Sequence, residues 1–581
     1  MGFLFLGTTL MATTGMVKET KAQRVERLNR EKNAWEHFDE IERFAREGYD
    51  SIPKEWLGTY FRAWGIYTQG DGQGVVGSGA AGGEGKAVPY FMVRIRIPNG
   101  QLTSRQLRTV AELSRRHARG TADLTVRQNV QLHWVTIEGL PEVMRSLWRA
   151  GLTTTAACGD VARNVTGCPL AGVDAGELCD ASPLAIEASR ELAGNPYFYN
   201  LPRKFKVSIT GCRVWCAYPE INDVGLTAVV RDVRGRREAG FALRVGGGLS
   251  ADPHLAVPLD VFVQWDQAVP VVRAVAEVFR DSDMLRENRE RARLKFLFLR
   301  HGWTAERFQS EIERRLGFLL DPAVPSEPPR DVYRDHIGVH AQKQPGLVTV
   351  GAAVLRGRIS PDQMLATADL AEGFANGEVR TTTMQNLLIL NVPAARAAAL
   401  AKELDAIGLR VGGSPFFRGA VACSGTEFCK LAITETKSYA RWLVEEMEDR
   451  LPEFDQDLRL HVTGCPNSCG QHWIADIGIE GKKMKVGGRL VDAYYFCVGG
   501  GLGEHAGFAR PIGYRCPADE VPGALERLLR QYLADRSGGE TLRRFFSRHT
   551  DDDLRAFLAG REVVAVPRDP SPGPVPRGAE L

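Results

Sequence analysis

The chain repeats itself once, and this internal duplication is the feature that most restricts its fold. The stretch 101–107 resembles 358–364, and Thr125-Val-Arg-Gln-Asn resembles Thr382-Thr-Met-Gln-Asn, in both cases 257 residues later. Thr210-Gly-Cys and Val245-Gly-Gly-Gly-Leu return 253 residues later. A nearly constant offset over about 150 residues indicates two copies of one structural unit. We therefore expect a pseudo-twofold arrangement with a ligand-binding cleft between the copies.

Each copy begins with a pattern typical of a ferredoxin-like half domain. In the first copy, an alternating strand over 90–97 precedes a helix over 104–118, a second strand over 124–135 and a helix near 140–150. This order of elements is that of a half domain of the ferredoxin-like kind. We predict an α+β fold that is internally duplicated, with paired ferredoxin-like half domains and two further α/β domains.

Length and composition fit a soluble protein of several domains. The chain has 581 residues, a formal net charge of +3 and 11 cysteines. The near-neutral charge argues against a nucleic-acid-coating protein, and the odd cysteine count favours a reducing compartment. No apolar run reaches the roughly 18 residues that span a bilayer. The apolar start lacks a basic flank, so we expect no signal peptide or membrane anchor. We also expect a cytoplasmic protein and a monomer.

Four cysteines of the second copy form a pattern suited to one metal centre. They are Cys423 and Cys429, with five residues between them, and Cys465 and Cys469, with three residues between them. The segment between the pairs is too long for a zinc knuckle, and no histidine pair has finger spacing. Four thiolates suit an iron–sulfur cluster. The alternative of ordinary buried cysteines is less favoured because Gly, Pro and Asn surround the pairs.

The first copy has three comparable cysteines, which are Cys168, Cys212 and Cys216. Aligning Cys168-Pro-Leu with Cys429-Lys-Leu places Ala162 opposite Cys423. The first copy then lacks one of the four thiolates, so we predict a single cluster, in the second copy. We interpret the three remaining cysteines as buried remnants rather than a reactive set, because structural cysteines are commonly buried and inert.

In the first copy, cationic residues alternate with apolar residues along predicted strands. Arg94 and Arg96 share one face of a predicted strand, and Lys204 and Lys206 share a face of another. Arg127 is predicted on the strand after Arg94, and Arg163 in a loop. For any single cation a solvated strand face is the alternative. Together they need counter-charge, and arginine favours forked recognition of carboxylates and oxyanions, so we predict a site for a polycarboxylate cofactor and a small oxyanion.

At this point the chain resembles the siroheme- and [4Fe-4S]-containing nitrite and sulfite reductases, over roughly residues 50–550. Besides the two cysteine pairs, the resemblance rests on three motifs: Asp123-Leu-Thr-Val-Arg127-Gln-Asn-Val-Gln131, Arg163-Asn-Val and Leu201-Pro-Arg-Lys204-Phe-Lys206. It implies siroheme and one [4Fe-4S] cluster as cofactors.

The resemblance also implies roles for individual residues. Cys423, Cys429, Cys465 and Cys469 hold the cluster, and the Cys469 thiolate bridges it to the siroheme iron. Four cations line the face on which the anion binds: Arg94, Arg163, Lys204 and Lys206. Three residues lie near the siroheme carboxylates: Arg127, Gln131 and His133.

We divide the chain into six predicted parts. They are 1–85, a helical extension with a glycine-rich loop; 86–153, the first half domain; 154–330, a siroheme- and anion-binding domain; 331–415, the second half domain; 416–560, the cluster- and siroheme-binding domain; and 561–581, a proline-rich tail expected to be disordered.

The motifs divide on the substrate. Lys204-Phe-Lys206 resembles the sulfite-reducing branch, whereas segments 123–129 and 163–172 are closer to nitrite reductases. Residues 64–69 and 157–160 resemble ferredoxin-dependent sulfite reductases of actinobacteria, in which a Tyr and a Cys beside the siroheme are covalently linked. Here these residues are Tyr67 and Cys158, and an ordinary buried pair is the alternative. The balance favours assimilatory reduction of sulfite to sulfide, with reduction of nitrite to ammonia as the alternative.

The sequence has no flavin or nicotinamide domain, and its two Gly-Gly-Gly segments are not dinucleotide fingerprints. We expect a separate ferredoxin to supply electrons by docking on a basic patch, for which 104–119 and 285–300 are candidates; a flavoprotein partner is the alternative. Two non-enzyme readings also stay open: an iron–sulfur electron-transfer or scaffold protein, and a zinc-stabilised binding protein. Neither needs the cations of the first copy.

Overall fold

A computed structural model describes residues 19–75, 84–330 and 332–561. The centre of the predicted glycine-rich loop (76–83) and the predicted proline-rich tail from 562 onward lie outside the described residues.

The described part of the N-terminal extension is helical and packs on the first half domain. It contains α1 (Lys21–Glu31), α2 (Phe38–Glu47) and the single turn α3 (Phe61–Ala63). Phe44 and Phe61 pack edge-on against Trp56, and Phe61 also contacts Phe91 of the first sheet. Aromatic burial of this kind gives a large apolar contact area and joins the extension to the half domain.

The first half domain keeps the predicted order of strand, helix, strand and helix, but the structure adds two short strands and divides the second predicted strand, which gives seven elements in its described residues. They are β1 (Ile66–Gly70), β2 (Ala87–Ile95), β3 (Gln101–Thr103), α4 (Ser104–His117), β4 (Ala122–Leu124), β5 (Val130–Val135) and α5 (Leu140–Arg149). The predicted strand over 124–135 is wrong, because a turn separates β4 from β5. Gln128 there has a φ of 58°, and the Thr125 hydroxyl accepts from the amides of Arg127 and Asn129. Arg127 therefore lies in a turn.

The first α/β domain follows. Its elements are β6 (Ala162–Thr166), α6 (Ser182–Leu192), β7 (Phe205–Thr210), β8 (Val224–Val233), β9 (Arg236–Val245), β10 (Val257–Val263), α7 (Ala268–Arg280), α8 (Phe296–Arg300) and α9 (Ala305–Leu316). Arg163 lies in β6 rather than in the predicted loop.

The second copy repeats this series. Its half domain has β11 (Gly338–Ala341), β12 (Leu347–Ala352), β13 (Arg358–Ile359), α10 (Pro361–Phe374), β14 (Glu378–Thr381), β15 (Leu387–Pro393) and α11 (Ala397–Ala406). Its α/β domain has α12 (Pro415–Gly419), β16 (Ala420–Ala422), α13 (Gly425–Phe428), α14 (Lys437–Arg450), β17 (Leu460–Thr463), β18 (Ile477–Val486), β19 (Arg489–Val498), β20 (Arg510–Pro517), α15 (Val521–Asp535), α16 (Leu542–Arg548) and α17 (Asp551–Ala559).

The strands form four five-stranded sheets in two matching pairs. The half-domain sheets have the orders β1-β2-β5-β4-β13 and β11-β12-β15-β14-β3, and the α/β sheets have the orders β10-β9-β8-β7-β6 and β16-β17-β18-β19-β20. Each half-domain sheet thus takes its last strand from the other copy. This exchange confirms the predicted duplication and α+β fold, and it fixes the two half domains against each other.

Two equivalent glutamines reinforce that junction. Gln128 Nε2 donates to Thr381 O at 3.0 Å, and Gln385 Nε2 donates to Leu124 O at 2.9 Å. The two bonds relate positions exactly one repeat apart, 257 residues in each case. Because buried amide groups are costly when unpaired, this reciprocal pair favours one register between the copies.

Candidate active site

The four predicted cluster cysteines lie at one edge of the second α/β sheet. Strands β16 and β17 run parallel, so the loops that follow them leave from the same edge. Cys423 comes directly after β16 and Cys429 directly after α13, while Cys465 and Cys469 lie in the loop after β17. The parallel pairing therefore brings together two cysteine pairs that are distant in sequence.

The surroundings of these sulfur atoms suit thiolates bound to a metal cluster. Gly464 N–H donates to Cys423 Sγ at 3.3 Å, and Asn467 Nδ2 donates to Cys465 Sγ at 3.6 Å. Hydrogen bonds to sulfur are one way in which a protein tunes such a cluster. Burial raises the pKa of Cys429 to about 12, so a metal rather than solvent has to stabilise the thiolate. Cys469 is exposed and is open to a further ligand.

The strand ladders correct the predicted alignment of the first-copy cysteines. Val165 pairs with Val207, and Ala420 pairs with Leu460, the equivalent of Val207. Gln128 accepts from Gly167 N just as Gln385 accepts from Ala422 N. Cys168 is therefore equivalent to Cys423, 255 residues on, and not to Cys429.

The same offset continues into the loop that follows. Leu178 N donates to Gly211 O, and Ile433 N donates to Gly464 O. Asp174 is therefore the counterpart of Cys429, and the proposed substitution at Ala162 is wrong. The sequence similarity around Cys168 suggested the alignment with Cys429, but the backbone hydrogen bonds show which residues are structurally equivalent. The first copy still has only three of the four cysteines.

Lys204 and Lys206 present two ammonium groups without protein partners. Lys204 precedes β7 and Lys206 lies in it; within the described residues neither Nζ makes a hydrogen bond or ion pair. The nearest carboxylate, Asp223, is taken by a bidentate pair with buried Arg293 (3.2 and 2.8 Å). Burial and nearby cations lower the pKa of Lys204 to about 7 and that of Lys206 well below its usual value. Such a site favours an added anion.

Lys204 is also where the two copies meet. Burial and Arg293 depress its pKa, and the Cys469 thiolate, which belongs to the other copy, raises it. An electrostatic effect of this kind requires that the two groups lie near each other. The structure therefore brings the predicted anion site and the predicted bridging cysteine to one place.

Arg94 and Arg163 converge on the loop 157–159. One Arg94 Nη donates to Cys158 Sγ at 2.8 Å, and Arg163 donates to Gly159 O at 2.7 and 3.0 Å. Both arginines also reach Ala157 O at 3.4 Å. No carboxylate pairs with either of them in the described part of the chain, so both charges remain available to an anion.

The Tyr67 hydroxyl lies at the same loop, where it accepts from Gly159 N at 3.4 Å. Tyr67 and Cys158 thus both contact the segment that Arg94 and Arg163 hold. Cys158 is a free, buried thiol in the structure.

Arg127 and Gln131 connect the first half domain to both α/β domains. The Arg127 guanidinium donates to Asn222 Oδ1 at 2.8 Å and to Asn164 O at 2.5 Å, while its Nε has no partner. Gln131 Oε1 accepts from Arg94, and its Nε2 donates to Ser424, next to Cys423, at 3.4 Å. Gln131 thus joins an anion-site arginine to the cluster loop.

His133 differs from the sequence-based expectation. It is fully buried, its Nε2 lies 3.0 Å from Asp123 Oδ2, and its ring stacks on Phe428 at 3.7 Å between centroids. Asp123 in turn pairs with Arg358 at 2.7 Å. The polar contact of His133 is therefore with a carboxylate of the chain rather than with one of a cofactor. By stacking on Phe428, His133 supports the residue that precedes Cys429.

Sequence reasoning missed Arg293, which neutralises Asp223 and leaves Lys206 free. Arg293 lies within 285–300, a segment that we considered for ferredoxin docking. In the structure it is buried, as is Lys295, whose Nζ donates to Leu249 O at 2.9 Å. The buried charges of this segment bind groups inside the protein and are not available on the surface for docking.

The other candidate segment, 104–119, is also a poor docking patch. Arg108 and Arg115 pair with acidic residues of α10, and Arg116 pairs with Glu142. Its positive charge is largely balanced within the chain. The sequence of α4 shows its arginines, but it does not show that the acidic residues of α10 pack beside them.

Comparison with known proteins identifies the family. The family described as the nitrite and sulphite reductase 4Fe-4S domain matches residues 158–320 and 413–556. The nitrite/sulfite reductase ferredoxin-like half domain matches 84–149 and 340–407. The chain belongs to the nitrite and sulphite reductase family. The resemblance noted from the motifs is thereby confirmed.

Relatives in this family carry both activities in their names. The assimilatory ferredoxin-dependent nitrite reductase of Haloferax mediterranei is 39% identical over 552 residues, covering 89% of this chain and 90% of the relative. The sulfite reductase [ferredoxin] of Mycobacterium tuberculosis is 39% identical over 522 residues, covering 88% and 92%. The solved structure of M. tuberculosis NirA superposes with a TM-score of 0.86 at 39% identity, covering 91% of this chain and 97% of that chain.

Membership of the family implies a siroheme and a [4Fe-4S] cluster, and the residues present fit both groups. In the described chain, one group of three metal-ligand side chains has all its donor atoms within 4.8 Å of one another, and it lies in the first copy. No three of the second-copy cysteines are that close, which leaves room for a four-iron cluster. The unpaired cations and the free Arg127 Nε suit a macrocycle with many carboxylates. Every described helix is too short or too polar to cross a membrane.

Proposed function

We propose that this chain catalyses the assimilatory six-electron reduction of sulfite to sulfide, with electrons supplied by a ferredoxin. The observation that carries the proposal is the pair of ammonium groups on Lys204 and Lys206 that have no partner in the described chain, with the Cys469 thiolate close enough to act on the charge of Lys204. Four cations with no carboxylate of their own suit a dianion with three oxygens. An electron-transfer protein or a zinc-stabilised binding protein has no use for such a site.

The proposal assigns roles across both copies. Cys423, Cys429, Cys465 and Cys469 hold the cluster, with Cys469 facing the siroheme. The anion is held by Arg94, Arg163, Lys204 and Lys206. When bound, the siroheme and the cluster would supply an iron for the anion and a source of single electrons. We propose the divisions 86–153, 154–330, 331–415 and 416–560 as the working domains.

The lysines and arginines divide the work of the anion site. Sulfite takes up six electrons and seven protons to give hydrosulfide and three waters. A lysine with a lowered pKa exchanges protons more readily at neutral pH than an ordinary lysine does, whereas arginine stays protonated. We therefore assign proton delivery to Lys204 and Lys206. Arg94 and Arg163 orient the anion and stabilise charge as electrons arrive.

Three residues position the cofactors. Arg127 offers its unpaired Nε and adjacent charge to a carboxylate of the macrocycle. Gln131 keeps Arg94 aligned with the cluster loop through Ser424. For His133 we propose a positioning role, because its Asp123 bond and its stacking on Phe428 hold the segment that leads to Cys429.

The link between Tyr67 and Cys158 stays a prediction. It would join Cys158 Sγ to a ring carbon of Tyr67, with two hydrogens passing to an oxidant such as dioxygen. A tryptic digest would then contain one branched peptide lighter by two hydrogens than the sum of its parts. Recovery of both peptides separately, at full yield, contradicts the prediction.

Ferredoxin is the electron donor in our proposal because the M. tuberculosis and H. mediterranei relatives are both named for it. A cytoplasmic location and a monomeric state stay predictions from the sequence. A docking face has to bring the donor near the cluster loops, away from the neutralised segment 104–119.

Reduction of nitrite to ammonia is the second candidate. It is favoured by the H. mediterranei relative and by the nitrite-type segments 123–129 and 163–172. Nitrite has one negative charge and two oxygens, so it needs fewer cations than this site offers.

Steady-state turnover of both anions with reduced ferredoxin separates the candidates. We expect kcat/KM for sulfite to exceed that for nitrite by at least about tenfold, a difference of about 1.4 kcal/mol in transition-state binding. Lys206→Asn should lower the ratio, because it removes one charge from the anion site. A wild-type ratio that favours nitrite would overturn the sulfite assignment and leave the family and cofactors intact.

A further inference from the structure

The first copy contains a compact set of three sulfur atoms that the proposed reaction does not use. The Sγ atoms of Cys168, Cys212 and Cys216 all lie within 4.8 Å of one another, and all three residues are about 99% buried. Cys212 and Cys216 are 3.5 Å apart, and the Thr210 hydroxyl lies 3.1 Å from Cys212 Sγ. Three thiols converge here although no disulfide joins them.

The spacing suits one metal ion rather than a cluster. Zinc–sulfur bonds of about 2.3 Å in a tetrahedral site place neighbouring sulfur atoms about 3.8 Å apart. A cubane of four irons and four sulfides holds its thiolates more widely, and no three of the second-copy cysteines come within 4.8 Å of one another. The first-copy set has thus contracted to the size of a single-ion site.

His336 of the second copy is the candidate for a fourth donor. It is fully buried, and neither of its ring nitrogens has a hydrogen-bond partner. Its carbonyl packs on Gly351, whose strand partner Leu388 lies in the same buried cluster as the three cysteines. The imidazole lies outside the 4.8 Å set, so the ring has to turn toward the sulfur atoms to offer a metal its unused lone pair. A buried polar group without a partner is costly and rare in native proteins.

Asp174 does not take this fourth position, although it stands where the second copy has Cys429. Its carboxylate is bound by Arg334 at 2.6 Å. A neutral imidazole and three thiolates make one of the common structural zinc sets.

We propose that the first copy binds one structural zinc ion through Cys168, Cys212 and Cys216, with His336 as the fourth ligand. The sequence-based interpretation of these cysteines as inert remnants is replaced by a second, single-ion site at the pseudo-symmetric position of the cluster. The proposal does not depend on which anion is reduced.

The test uses two cysteines at equivalent positions. The full chain is produced with siroheme synthesis and supplied zinc, purified reduced, and analysed for zinc and iron per chain. We expect about one zinc in the wild type. Cys212→Ser should lower zinc to below about a tenth while the absorbance of siroheme and cluster persists, and Cys465→Ser should lose the cluster and keep zinc. Cys497→Ser, a buried cysteine of β19 outside both sets, should keep both.

X-ray absorption at the zinc edge of the wild type tests the ligands without a variant. We expect three sulfur neighbours at about 2.3 Å and one nitrogen at about 2.0 Å, and His336→Phe should replace the nitrogen by oxygen. A wild type without zinc, zinc lost only with Cys465→Ser, a four-sulfur shell, or iron beyond one cluster and one siroheme would each overturn the proposal. A Cys212–Cys216 disulfide found by alkylation in reduced protein would do the same.

Discussion

Lys206 and Arg459 occupy equivalent positions in the two copies, but only the side chain of Arg459 pairs with the nearby carboxylate. The amide of Lys206 donates to Asp223 at 2.8 Å, and the amide of Arg459 donates to Asp476, the equivalent carboxylate, also at 2.8 Å. In the second copy the Arg459 side chain itself pairs with Asp476 at 2.8 Å. In the first copy the remote Arg293 takes the carboxylate, and Lys206 is left free.

The half-domain faces differ in the same direction. Arg94, Gln131 and Arg127 have Gly351, Leu388 and Met384 as their counterparts one repeat later. The polar face of the first half domain meets the cluster loop through Ser424. The apolar face of the second packs Leu388 and Leu390 against the three first-copy cysteines.

The difference shows how one frame yields a composite site. The second copy kept four cysteines and neutralised its cation, and the first copy lost one cysteine and freed its cations. In the proposed function, neither copy alone holds both the cluster and the anion site. The Cys469 thiolate of the second copy acts on the charge of Lys204 in the first copy, and there we propose that the two are combined.

The largest expected effect comes from replacing Cys429 by serine, compared with the same replacement at its equivalent position, Asp174. Cys429→Ser removes a thiolate from the cluster, so iron–sulfur absorbance should disappear and turnover fall below about a hundredth of the wild type. Asp174→Ser removes only the partner of Arg334, so the cluster should remain. Absorption spectra, iron content and turnover measure both. Equal cluster loss in the two variants would break the comparison.

Lys206→Met should cost kcat/KM for sulfite about 100-fold to 1,000-fold, since it deletes one of the charges that stabilise the reacting anion. Siroheme and iron content should be unchanged, because Lys206 holds neither cluster nor protein partner. Steady-state kinetics and cofactor spectra provide the two readouts. Retained kcat/KM with full cofactor content would remove Lys206 from the anion site.

The equivalent change in the second copy should act on stability. Arg459→Met leaves the Asp476 carboxylate buried without its main cation, which typically costs about 3 kcal/mol. The urea-unfolding midpoint should fall, whereas the folded fraction keeps its kcat/KM. Lys206→Met is the matched control, with its midpoint unchanged or raised. A loss of activity without loss of stability in Arg459→Met would contradict the contrast between the copies.

Local sequence signals were enough to predict the two helices of the first half domain and the internal duplication. The capping residues Thr103 and Ser360 begin equivalent helices, and both accept from the amide three residues on. The break at Thr125–Asn129 was hidden because Leu124, Val126 and Val130 continue the alternation of a strand. The left-handed Gln128 is held by Gly167 and Thr381, which are distant in sequence.

The composition of the site was predictable, but its electrostatics was not. The cysteines and cations are visible as motifs. Whether Lys206 is free depends on Arg293, 87 residues away, and the equivalence of Cys168 with Cys423 depends on strand register. Such facts arise from packing between elements, and no single segment carries them.

The smallest expected effect is a change in the pH profile when Lys204 becomes Arg. Lys204 has a pKa of about 7 without cofactor, below its ordinary value of 10.5, and carboxylates of a bound macrocycle raise it. Its charged form binds the anion, so kcat/KM for sulfite, calculated for the dianion present at each pH, should be constant at low pH and fall as pH rises through a value at or above 7. Arginine keeps its proton, so Lys204→Arg should remove this alkaline limb. It should also lower kcat by about tenfold or more, because arginine is a poor proton donor. An unchanged limb in Lys204→Arg would assign the titration to another group, with Lys206 the next candidate.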